Sequence, residues 1–169
     1  MFPLMQVRID ELPVVPQVLR DVSMLVIFMN TKTIPFDKPH GEGWLVREYR
    51  TLDGLVSLPA SGVRYRPFPM SWHRVEDDMP GWEDADGLTD LAAIREDEAA
   101  SHRFFYDLNR YSGTKFGGYP TEIQHGAGPD DFVFQIDSDA KSGWNWAGDG
   151  VAYFHRAEGE DWRFSCQMT

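Results

Sequence analysis

At 169 residues, with 42% hydrophobic and 14% aromatic side chains, the chain is sized for one domain with a packed core, and wholesale disorder is excluded. Its formal charge of −11 repels phosphates and acidic membrane surfaces, so nucleic acid is disfavoured as a direct partner. The longest apolar stretch, Val22 to Met29, falls far short of the roughly 20 residues of a membrane helix, and the single Cys166 cannot close an internal disulfide.

The chain begins without the basic lead and long apolar region of a secretory signal, which makes the cytoplasm the simplest compartment. Pro13, Pro16, Pro35 and Pro39 make the first forty residues extended and turn-rich rather than helical. Within them, Val22 to Met29 is short, β-branched and almost unbroken, the pattern of a central strand covered on both faces. Trp44 to Tyr49 and Gly54 to Leu58 read as two further strands joined by a turn at Asp53-Gly54, where glycine accepts positive φ. Val63 to Trp72 alternates like a strand, and its two prolines confine it to an edge. Glu76 to Asp86 reads as a surface loop.

A helical insertion follows around residues 88–110. Thr89 is placed to cap it, Leu91 and Ile94 fall three apart, and the apolar spacing resumes at Phe104, Phe105 and Leu108. Three strands close the chain: Asp131 to Ile136, Val151 to His155 and Trp162 to Gln167. The expected fold is α+β, a single domain over 1–169 with a mostly antiparallel sheet, or two packed sheets, around that insertion.

Charge is distributed unevenly. Ten carboxylates lie between Glu76 and Glu98, opposed there by Arg95. Trp72 and Trp82 flank or accompany Glu76, Asp77, Asp78, Glu83, Asp84 and Asp86, and an aromatic anchor beside a charged rim is the composition of a protein-binding hot spot. The competing readings are a solvated acidic face and a loop clamped to the domain by its own aromatics.

Motifs for catalysis are weak. His40, His73, His102, His125 and His155 show no metal-ligand spacing, and there is no Gly-x-Ser-x-Gly elbow. Cys166 shares a strand parity with Phe164 and Met168, which reads as a buried apolar thiol rather than a nucleophile. Gly113 to Gly118 lacks the Gly-Lys-Ser/Thr spacing of a phosphate loop. Asp137, Asp139 and Asp149 lack the glycine of a calcium-binding loop, so no metal or cofactor is expected.

The turn Gly117-Gly118-Tyr119-Pro120, then Gln124, the run Phe134-Gln135-Ile136-Asp137 and the pair Asp149-Gly150 leading into a strand resemble the signature of the YwqG-like family of bacterial proteins. The resemblance covers the last third of the chain closely and the rest loosely. It implies a largely β domain in which the signature residues serve the fold, and an association with toxin–immunity systems. The combined expectation is a non-catalytic binder, an immunity protein whose carboxylates occlude the basic cleft of a toxin such as a nuclease. A chaperone or adaptor for a basic client, and a small-molecule binder or enzyme using His125 and the Gly-Gly-Tyr-Pro loop, are the alternatives.

Overall fold

A computed structural model describes residues 1–57, 65–81, 94, 96–107, 111–124, 126–128 and 130–169, the side chains of residues 105 and 107 excepted. Its architecture is two antiparallel sheets. The first has the order β1 (Phe2–Arg8), β2 (Met24–Met29), β3 (Trp44–Tyr49). The second has the order β4 (Lys115–Phe116), β5 (Phe132–Asp137), β6 (Val151–His155), β7 (Arg163–Gln167).

Strand β2 is central because its residues are apolar at both parities, and it pairs in continuous register with β3 from Met24–Tyr49 to Met29–Trp44. Its Leu25, Ile27 and Met29 are fully buried in one cluster that also takes Trp44, Phe134, Ile136 and Phe154 from both sheets. Side chains of this size each contribute roughly 1.5–3 kcal/mol on full burial, so this shared core is what joins the sheets. Trp44 is its keystone, lying 5.3 Å from the ring of Phe164 and 6.1 Å from that of Phe154. Phe134 and Phe154 stack at 4.4 Å across the β5–β6 pair.

One polar link reinforces the seam. Glu48 on β3 accepts from Arg156, just beyond β6, and from the Trp162 indole at 2.7 Å. The Arg156 guanidinium also lies over the Trp162 ring.

Several expectations require correction. Strand β1 was not expected as a strand; it has a register shift between Pro3 and Met5, so its alternation is broken where it would be read. Residues 54–57 are not a strand but continue the turn in which Leu55 N–H donates to Leu52 O. Residues 65–72 are irregular extended chain rather than an edge strand, because Pro67 and Pro69 supply no N–H; Arg66 N–H donates to Ser142 O at 2.9 Å. Among the described residues of the expected insertion, helix comprises positions 94 and 96, α1 (Glu98–His102) and a π-type turn over Arg103–Asp107, and two single 3-10 turns, Ile9–Glu11 and Gln17–Leu19, lie near the start of the chain. The Asp97 carboxylate caps α1 by accepting from Ala99 and Ala100 N–H. The expected helical insertion is therefore not shown, and residues 88–93, 95 and 108–110 lie outside the described chain.

Candidate functional site

The sheet's second face carries the signature residues. On β5, β6 and β7, Phe134, Ala152 and Phe154 point into the shared core, so the opposite parity presents Gln135, Tyr153 and Gln167 to the loop of residues 111–124. A polar atom buried there must find a partner. Gln135, fully buried, accepts from Thr121 N–H at 2.8 Å and donates to Gly113 O at 2.8 Å. Gln167 accepts from the N–H groups of Ile123 and Gln124, both at 2.8 Å. Tyr153 Oη lies 2.8 Å from Thr121 O, and burial pushes its hydroxyl well above the ordinary phenol range. Gln124 is exposed and donates from its side chain to Met168 O. Sequence reasoning missed Tyr153 and Gln167, whose role is set by contacts 32 and 44 residues away along the chain.

At the other end of that loop, Gly117 and Gly118 follow β4 with φ of +69° and +71°. Gly117 N–H donates to Val133 O, and Pro120 is buried. Gly118 faces Asp78 so closely that a Cβ would overlap its Oδ2. That same oxygen accepts from Tyr119 N–H at 3.0 Å and from Lys115 Nζ at 2.9 Å. Burial lowers the Lys115 pKa against the opposing pull of Asp78. Asp149 and Gly150 lie where β6 begins, and a Cβ on Gly150 would overlap the carbonyls of Gln167 and Trp146.

The acidic segment thus divides. Asp78 turns inward, and Trp72 packs edge-on against Phe116 at 5.3 Å, so the two fasten residues 72–78 to β4 as a strap. Glu76 and Asp77 are exposed on its outer side, with Glu76 paired to Arg74 at 2.9 Å. Trp82, Glu83, Asp84 and Asp86 lie outside the described residues, as does His125.

His73 and His102 are exposed, whereas His40, His155 and Cys166 are held in structural bonds or partly buried. His40 Nε2 accepts from Val46 N–H at 3.0 Å, which leaves Nδ1 to donate to Asp161 at 2.7 Å. His155 Nδ1 donates to Asp130 O at 3.1 Å, and burial lowers the pKa of its ring. Burial pushes the Cys166 thiol up to about 12, far from a thiolate at neutral pH.

A cleft of about 570 Å³ opens between β1, residues 65–70 and the turn after β5. Phe2, Tyr65, Phe68 and Trp144 wall it, and Asp137, Asp139 and Thr114 line its polar side. Asp137 N–H donates to Thr114 Oγ1, and the Asp137 carboxylate accepts from Ser138 N–H at 2.8 Å. Burial nonetheless raises its pKa, with Asp139 and Asp149 adding repulsion. No group of His, Cys, Asp and Glu among the described residues is arranged to hold a metal ion.

A family model described as a domain of unknown function, DUF1963, matches residues 16–161. A search of curated proteins found no match to the chain. No helix among the described residues is long and apolar enough to cross a membrane.

Proposed function

The chain belongs to the DUF1963 family, and on that footing we propose that it is a non-catalytic, YwqG-like binding domain that captures a basic protein, as an immunity protein does a toxin. The observation that carries this reading is the strap. Asp78 and Trp72 fix its inner side to β4, while Glu76 and Asp77 stand outward on a backbone already ordered before a partner arrives. Preorganisation of this kind removes much of the entropic cost of association. The net charge of −11 supplies long-range attraction toward a cationic cleft, of which a nuclease's phosphate-binding site is the natural example. Further support comes from His40, His155 and Cys166, whose reactive atoms are held in hydrogen bonds or buried.

The test is a titration of the purified chain against basic nuclease toxin domains as candidate partners, with the double variant Glu76→Lys, Asp77→Lys as comparison. Association should slow steeply between about 0.05 M and about 0.5 M salt, and the variant should bind at least about tenfold more weakly while folding normally. Equal affinity of variant and parent, or association indifferent to salt, overturns the reading.

A further inference from the structure

We propose that the cleft between β1 and the β5–β6 turn binds a small organic ammonium ligand with a flat apolar body, its cation at Asp137 and its body against Tyr65 and Trp144. The inference is independent of the strap and of any protein partner. Its volume, about 570 Å³, falls within the range of pockets that hold small molecules. Its walls are aromatic and fixed: Phe2 meets Tyr65 at 6.0 Å, Tyr65 meets Trp144 edge-on at 5.0 Å, and Trp144 meets Trp146 at 4.8 Å. Each ring is braced by the next, so the wall is formed before a ligand enters. Such faces attract both apolar groups and cations.

The polar side selects the charge. Thr114 Oγ1 holds the Asp137 backbone at the end of β5 by accepting from its N–H, and the carboxylate accepts from Ser138 N–H at 2.8 Å, a bond it must break to swing away. Among the described residues the charged groups acting on it are Asp139 and Asp149, two further carboxylates and no cation. Among the described residues the cations at the cleft are Arg66, which belongs to its lining, and Lys141, which rests against its wall, and each is turned to a neutral partner. Arg66 directs its guanidinium to Ala140 O at 3.4 Å, and the Lys141 ammonium rests 4.3 Å above the Phe68 ring. A desolvated carboxylate without a counter-ion, beside aromatic walls, is complementary to a positive charge that arrives with the ligand. Trp144 lines the same cleft and is 6% exposed, so its ring is a fixed part of the wall.

Phenethylamine, its neutral isostere 2-phenylethanol and the anion 3-phenylpropionate serve as probes, each titrated into the full chain with binding read by calorimetry and by amide and indole shifts in NMR. Phenethylamine should bind at least about tenfold more tightly than the alcohol, the acid should not bind, and the shifts should fall on Tyr65, Asp137 and Trp144. Asp137→Asn should bring phenethylamine down to the affinity of the alcohol and leave the alcohol unchanged. Should that variant fail to fold, Phe68→Ala, in the irregular segment, should weaken both the amine and the alcohol. Equal binding of amine and alcohol by the parent chain, shifts elsewhere on the surface, or no phenethylamine binding overturns the proposal.

Discussion

Replacing Gly118 by alanine should damage the fold far more than the same change one residue earlier, and the difference measures how strongly Asp78 fastens the strap. Both glycines have left-handed φ, +69° at Gly117 and +71° at Gly118, and an alanine in that region costs about 1–2 kcal/mol. At Gly117 nothing lies within 4 Å of the added Cβ, so the backbone term is the whole cost. At Gly118 the Cβ overlaps Asp78 Oδ2, which must move away from both Lys115 Nζ and Tyr119 N–H. Breaking a buried pair costs about 3–5 kcal/mol; with side chains 13% and 16% exposed, roughly 2–4 kcal/mol is the discounted figure. Gly118→Ala should therefore cost roughly 3–6 kcal/mol in all. Asp78→Ala removes the obstacle, so in that background Gly118→Ala should fall back to about 1–2 kcal/mol. Urea unfolding followed by tryptophan fluorescence on the four members of the cycle reads these numbers. Equal costs at Gly117 and Gly118, or strict additivity of Gly118→Ala with Asp78→Ala, would refute the reasoning.

Two further outcomes follow from buried titratable groups. Burial lowers the pKa of His155, so the unfolded chain takes up a proton first as pH falls below about 6.5, and stability should drop by up to about 1.4 kcal/mol per pH unit until the folded ring also titrates. Asp137, whose pKa is raised, acts in the opposite sense, since its protonation in the folded state relieves the burial of charge as pH falls. The His155 contribution is therefore read as the difference in acid-side slope between the parent chain and His155→Phe, and parallel slopes would show that the ring is not buried neutral. Half-buried and with its thiol pushed up to about 12, Cys166 should react with iodoacetamide at pH 8 far more slowly in the native chain than in urea; equal rates in the two conditions would refute the raised pKa.

How far the sequence discloses this fold depends on whether a residue's surroundings lie nearby in the chain. Strands β2 and β6 are legible from nearly unbroken apolar runs, β5 from Phe132 to Phe134 and β7 from the alternation of Phe164 and Cys166 with polar residues, and β6 is matched from Val151 to His155. Strand β1 is obscured by the bulge near Leu4, and residues 65–72 imitate a strand because parity alone takes no account of the N–H groups that Pro67 and Pro69 lack. Asp77 and Asp78 are indistinguishable in sequence, yet one is exposed and the other sits beneath Gly118, forty residues on. A glycine pair says that something approaches the backbone closely; it does not say what. The cleft was equally hidden, since its wall joins residues from β1, 65–70 and 136–144.

The inward turn of some carboxylates changes what the net charge means. Asp78 pairs with Lys115 and Glu48 with Arg156, so each internal pair sums to zero and neither reduces the net charge of −11. The strap, by contrast, loses charge locally, because Asp78 faces inward and Glu76 is offset by Arg74. Long-range attraction of a basic partner is then a property of the entire surface, while the strap acts at contact range, within the roughly 8–10 Å over which salt leaves a charge visible. Reversing Glu76 and Asp77 adds two units at each position and moves the net charge only to about −7, a field that still steers. The variant should therefore lose affinity mainly through faster dissociation, with its association rate reduced by less than about tenfold. A loss carried entirely by the association rate would place the strap in the steering field and leave the contact surface to be found elsewhere on the sheets.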